Sequence, residues 1–151
     1  MDDSGAIERL MFSYAECLDA GDLEGVADLF SDAAFGGPDD RHLVVGRDAV
    51  LALLRSTVRI HPDGTPRTAH VTTNVAVEIA NGSAAARSRF TVLQAADGLL
   101  LQPIIAGRYH DRFGQTEGRW RFLERRVLTD LVGDVSHHML IDPALLGLRS
   151  D

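Results

Sequence analysis

The stretch "PRTAHVTTNVAVEI", residues 66–79, divides the chain. It is rich in Val and Thr placed with the two-residue period of a β-strand, and a strand's successive side chains point to opposite faces of its sheet. Strict alternation puts His70, Thr72 and Asn74 on one face and Val71, Thr73, Val75 and Val77 on the other. His70 stands out among small and β-branched neighbours, and two readings of it are open. It lies on a solvated or subunit-facing surface, or it is a general base in a pocket, since imidazole titrates near neutral pH.

Downstream of Arg67 the texture is strands and turns. Asn81-Gly82, Asp97-Gly98 and, more weakly, Glu117-Gly118 are hairpin signals. They mark strands near 67–80, 83–95, 99–114 and 119–131, long enough to predict a curved sheet bulged near Pro103 or Gly107. Upstream the pattern is helical. Ile7, Leu10, Met11, Tyr14, Cys17 and Leu18 recur on one helix face, which Gly21 closes, and Asp22 can cap a short second helix through "LEGVADLF". After Phe35, "GGPDD" reads as a loop. "GRDAVLALLRSTV" reads as a third helix with Val50, Leu53, Leu54 and Val58 inward, ended by the loop "HPDGTP". Three helices followed by a mixed or antiparallel meander predict one α+β domain over residues 1–151. Its curved sheet wraps the helices as a cone with an internal pocket. Residues 136–151 read as an appendage, either a short helix on the cone mouth or a subunit contact.

Composition removes many chemistries. The chain has 151 residues, 45% of them hydrophobic, enough for a core without disulfides or metal. Its one cysteine, Cys17, excludes an internal disulfide or a multi-cysteine zinc site. The formal net charge of −7 argues against binding nucleic acid through phosphates. All 15 basic residues are Arg, which excludes Schiff-base chemistry and a P-loop lysine. G-x-S-x-G, G-x-G-x-x-G and H-E-x-x-H are all absent. The acidic N-terminus does not resemble a signal peptide, and no apolar run approaches the roughly 20 residues of a membrane span. The expectation is a cytoplasmic protein with no membrane or nucleic-acid partner, no cofactor and no metal.

Some residues remain as chemical candidates. A histidine base needs an orienting carboxylate on its other nitrogen. Asp19, at the end of the first helix, is one candidate, but spacing cannot bring it to His70. Leu99, Leu101, Ile105, Tyr109 and Phe113 form the more apolar face of their strand. Asp111 shares it, either as a polar pocket group or as a strand-end charge near water. His110 points the other way, so His110 and Asp111 cannot converge on one ion. Tyr14 lies on the apolar face of the first helix, and Phe35 and Phe90 are candidate apolar contacts for a ligand. Arg119, Arg121, Arg125 and Arg126 surround Trp120 as a solvated strand face, with Arg125 a candidate to reach an acidic pocket group. His137-His138 is too isolated to read as a metal site.

Three pieces, "YAECLDAGDLEGVADLF" (14–30), "PRTAHVTTNVAVEI" (66–79) and "GRYHDRFGQTEGRWRFLERRV" (107–127), occur in an order and at separations that resemble the SnoaL-like branch of the nuclear transport factor 2 superfamily. The likeness spans roughly residues 5 to 132. It implies the same α+β cone, with the pocket between helices and concave sheet. Its chemical analogues are scytalone dehydratase, bile acid dehydratase and hexachlorocyclohexane dehydrochlorinase, which use a His–Asp pair. Asp19 of "LDAGD" and His70 of "RTAH" fall on those two positions, so the resemblance makes them neighbours and points His70 into the pocket.

The match is not complete. Leu18 stands where scytalone dehydratase has a tyrosine. Its second active-site histidine and its Ser and Asn sites are missing, with Gly107 and Tyr109 in the latter region, so scytalone itself is not the expected substrate. The resemblance implies a dehydratase-like lyase or isomerase acting on a hydrophobic, cyclic small molecule. Asp19 and His70 would be catalytic, with Tyr14, Phe35, Phe90, Tyr109, Asp111 and Arg125 as substrate contacts. A polyketide cyclase and a non-catalytic ligand-binding or subunit-assembly module are the alternatives. It also implies a homodimer or homotrimer through the convex sheet face, where Ile104, Arg108 and His110 are expected.

Overall fold

Asp2 starts the first helix by accepting a hydrogen bond from the Gly5 amide at 2.7 Å, which satisfies one of the amides left unpaired at a helix start. The computed structural model describes residues 2–141. Helix α1 (Asp3–Asp19) buries Ile7, Met11, Tyr14 and Leu18, the helical stripe expected of it. It ends at Gly21, whose φ of +77° favours glycine. A Cβ there would also lie 2.0 Å from the Gly64 carbonyl oxygen, so the position needs glycine for two reasons. Asp22 then accepts from the Gly25 amide at 2.9 Å and caps α2 (Leu23–Asp28).

Two short strands that the sequence did not suggest, β1 (Ala34–Gly36) and β2 (Leu43–Val45), flank the loop expected after Phe35, which runs into a 3-10 turn (Asp40–His42). Three-residue strands are too short to show a periodicity, and "GGPDD" masked their pairing. Helix α3 (Arg47–Thr57) buries Val50, Leu51, Leu54 and Thr57, and Val58 beyond it is also buried. Four long strands follow: β3 (Thr68–Ala80), β4 (Ser83–Ala96), β5 (Leu99–Thr116) and β6 (Arg119–Val132). The sheet order is β2-β1-β6-β5-β4-β3, antiparallel except where β1 runs parallel to β6. The result is the expected α+β architecture: a curved, unclosed six-stranded mixed sheet with the helices in its concavity. Among the described residues, no helix is long and apolar enough to cross a membrane.

Bulges decide which side chains enter the cone. In β3, Asn74 and Val75 lie between the paired residues Thr73 and Ala76 and face the single residue Ser88 between their partners Arg89 and Arg87. Asn74 takes φ +55°, which Asn tolerates better than most residues. The extra residue reverses the phase. His70 and Thr72 are half-buried, then Val75 and Val77, while Asn74 is exposed. Strict alternation therefore misplaced Asn74, Val75 and Val77.

In β5 the pairing with β4 skips Ile104, between Ile105↔Val92 and Pro103↔Leu93. Leu101, expected inward, is 70% exposed, and Ile104, expected on the convex face, is fully buried. Arg108 and His110 do lie outward, Arg108 in a two-point contact with Asp130 at 2.9 and 3.0 Å. The second expected irregularity falls at Gly107, opposite an extra residue in β6. A Cβ on Gly107 would sit 2.2 Å from the Leu128 carbonyl oxygen and 2.9 Å from the Phe90 ring. In β6, Leu123 is inserted between the paired Phe122 and Glu124, so Phe122 and Arg125 are both buried although they are three apart.

Gly21→Ala should destabilise the protein by about 1–3 kcal/mol, because it adds both a strained φ and a clash with backbone. A fall in the urea midpoint at unchanged slope is the expected result.

Candidate active site

His70 enters the cone from β3, near the strand's start, where the end of α1 crosses it. One Asp19 oxygen accepts from the His70 Nδ1–H at 2.5 Å and from the Thr68 hydroxyl at 2.9 Å. The other accepts from the His70 backbone amide at 2.8 Å. Burial alone would raise the Asp19 pKa, but the hydrogen bonds and charge of His70 outweigh it and hold the carboxyl below its ordinary value. An ionised Asp19 keeps the proton on Nδ1 and leaves the Nε2 lone pair as the basic end of the ring. The His70 side chain is only 6% exposed and lines a cavity of about 370 Å³.

Tyr14, Phe35, Phe90 and Tyr109 line the same cavity, as expected, together with Leu53, Val92, Ile105 and Val127. Tyr14 packs edge-on to the His70 ring with centroids 6.5 Å apart, and edge-on to Tyr109 at 5.8 Å. Phe90 stacks on Tyr109 at 4.5 Å. Burial raises the pKa of both tyrosines, Tyr109 the more strongly, so each is a neutral phenol that can donate a hydrogen bond.

Asp111 and Arg125 come together but do not line the cavity. Their contact is bidentate, with Arg125 Nε and Nη2 each donating to one Asp111 oxygen at 2.8 Å, and both side chains are fully buried. The guanidinium lies 3.7 Å from the Tyr109 ring centre and 4.4 Å from that of Tyr14. The pair therefore stands behind the two tyrosines and sets their orientation, rather than meeting a ligand. Arg125 does reach an acidic group, Asp111, but that group lies behind the cavity wall and not in the pocket where it was expected.

This geometry can be set beside known proteins. The family model for the SnoaL-like domain matches residues 1–126. The chain belongs to the SnoaL-like family. No curated protein matches it. Among solved structures, a protein of unknown function from Mycobacterium tuberculosis is 27% identical with a TM-score of 0.69, covering 86% of this chain and 73% of its own. A candidate scytalone dehydratase from Novosphingobium aromaticivorans is 25% identical with a TM-score of 0.70, covering 87% of each chain. A nuclear-transport-factor-2-like protein with a cystatin-like fold, also from Novosphingobium aromaticivorans, is 23% identical with a TM-score of 0.72; it covers 89% of this chain and 86% of its own, and supports the fold.

Several cavity residues of this SnoaL-like chain had no sequence signal. Arg41 and His42 arrive on the turn between β1 and β2, and Thr129 from β6. His138 and Met139 come from the segment read as an appendage. That segment is held by the cone: Met139 bridges to Val58, and the Leu140 amide donates to the Thr57 carbonyl at 2.9 Å. The helix or subunit contact expected of the rest of the tail, 142–151, lies outside the described residues. His138 is 7% exposed, and burial, with the nearby His70 and His61 outweighing Asp19, lowers its pKa to about 4.

Removing one partner of the buried pair should be costly. Asp111→Ala leaves an uncompensated guanidinium and is expected to cost about 3–5 kcal/mol, whereas Asp111→Leu with Arg125→Met should lie within about 1–2 kcal/mol of the parent. Chemical denaturation of both variants checks this.

The depressed His138 value has a definite sign. Its contribution to stability is complete above the unfolded histidine pKa near 6.5 and is lost as pH falls from there to about 4, by up to about 3 kcal/mol. His138→Phe should flatten the stability profile across that window in urea titrations at stepped pH.

Proposed function

We propose that this SnoaL-like chain is a cofactor-independent lyase or isomerase acting on a hydrophobic, cyclic small molecule, with His70 as general base. A single observation carries the reading: an imidazole whose Nδ1 is fixed by a partly buried carboxylate faces a predominantly apolar cavity of ring-system size. The sequence likeness to a candidate scytalone dehydratase, at 25% identity, supports the same chemistry.

In this mechanism Nε2 takes a proton from a carbon next to a carbonyl. The imidazolium formed is stabilised by Asp19, already ionised and in contact with Nδ1–H. Tyr14 or Tyr109, neutral and inside the cavity, donates to the oxygen on which negative charge develops. If the adjacent carbon carries a hydroxyl, the enolate collapses to a C=C bond as the C–O bond breaks, and the hydroxyl leaves as water with the proton held by His70; return of that proton to a different carbon instead gives isomerisation. A positioned base contributes about 10²–10⁴-fold, and the phenol donors supply further stabilisation in a predominantly apolar cavity.

An enolisable bicyclic ketone, 2-tetralone, tests the proton-abstraction step through exchange of its α-hydrogens in D₂O, followed by proton NMR. The parent protein should accelerate exchange. His70→Ala should lose about 10²-fold or more with an unchanged circular-dichroism spectrum, and Asp19→Asn should lose nearly as much by releasing the tautomer. Parent-like exchange by His70→Ala would remove His70 from the chemistry. Binding of the ketone by the parent without exchange would favour the ligand-binding module instead.

A further inference from the structure

Besides His70 the cavity wall holds two imidazoles that the mechanism above does not use: His42, whose Nδ1 lies 2.7 Å from an Asp39 oxygen, and His138. His138 is buried, and its Nδ1 has no hydrogen-bond partner among the described residues. Its backbone is already occupied: its amide donates to the Val135 carbonyl at 3.0 Å, and its carbonyl accepts from the Arg59 amide at 2.8 Å. What the residue offers the cavity is therefore its ring.

The ring's position is closely held. The preceding His137 carbonyl accepts from Gln94 Nε2 at 2.9 Å and from His61 Nε2 at 2.8 Å, and Gln94 is itself anchored to the Pro66 carbonyl at 3.0 Å. Pro66 and Gln94 flank the start of β3, the strand that carries His70. Two histidines from distant parts of the chain are thus tied to one sheet corner and face one cavity. A buried polar group in a folded protein normally finds a partner, and an unpaired one is unfavourable until something supplies it. Desolvation and the nearby His70 keep this ring neutral at physiological pH, so it offers one donor and one acceptor.

We propose that His138 is a second substrate-contacting residue, a neutral imidazole that hydrogen-bonds an oxygen of the bound molecule while His70 deprotonates a carbon beside it. This role rests on the reading of His70 as the base, and it narrows the ligand to an apolar ring system carrying at least one carbonyl or hydroxyl. An imidazole that stays neutral can donate without first giving up a proton, so the contact orients the ligand and needs no net proton transfer from His138.

Binding, rather than turnover, separates this role from that of His70. Titration calorimetry would compare 2-tetralone with its oxygen-free counterpart tetralin. The parent should prefer the ketone. His138→Phe should reduce that preference about five- to tenfold, the worth of one hydrogen bond, with tetralin affinity unchanged. His138→Gln, which keeps an N–H donor, should recover part of the preference. His70→Ala should keep the preference while losing α-hydrogen exchange. In the parent, the ring ¹⁵N resonances of His138 should move on saturation with 2-tetralone and stay in place with tetralin, a readout that does not depend on any variant folding.

The proposal is overturned if the parent shows no ketone preference, if His138→Phe retains it, if tetralin affinity falls equally, or if the His138 resonances do not respond to the ketone. Parent-like exchange by His70→Ala would instead overturn the base assignment and leave the His138 contact standing.

Discussion

The contact between Asp19 and His70 joins the two halves of the molecule. One carboxylate at the end of α1 accepts from the ring, the backbone amide and the neighbouring Thr68 hydroxyl of β3. It therefore positions the helix against the sheet, fixes the rotamer and tautomer of His70, and places the basic nitrogen by elimination. Gly21, two residues beyond Asp19, lets the chain turn away at once and pass close to the Gly64 carbonyl, just before β3 begins. The crossing of helix and strand that builds the fold is the same crossing that builds the site.

The rest of the cavity depends on bulges and on a buried charge pair. Each bulge inserts one residue and reverses which side chains face inward from there on. Without the one after Thr73, His70 and the core residues Val75 and Val77 could not share a face. Without the one at Leu123, Phe122 and Arg125 could not both be inside. Arg125, once inside, needs Asp111, and the pair then serves as a rigid polar support beneath Tyr14 and Tyr109. Their hydroxyls are kept as neutral donors in a setting where ionisation is disfavoured.

Much of the fold was legible because long, repeated patterns carry it. The helical stripe of α1, the three hairpin turns and the lengths of β3 to β6 each extend over many residues, and every residue adds to the same signal. Short elements were not legible: β1 and β2 have three residues each and gain their stability from partners distant in sequence. Of the residues lining the cavity, Tyr14 and Tyr109 were legible as aromatic side chains on apolar helix and strand faces. Asp111 was legible as a polar residue within such a face, whereas Arg125 read as part of a solvated basic run, and their mutual burial behind the tyrosines was not visible.

What the sequence by itself determined was the class of fold and the chemistry excluded from it: no lysine, one cysteine and an acidic balance are properties of composition and need no coordinates. It also supplied Asp19 and His70 as types suited to base catalysis, and, through likeness to a family, as partners. Only the tertiary structure decided that the carboxylate meets Nδ1, that the alternation of β3, β5 and β6 breaks where it does, and that His138 belongs to the cavity. The reason is physical. Periodicity is a local property that a few residues can encode, whereas a bulge, a tautomer or a meeting of distant side chains depends on which backbone groups pair across the sheet.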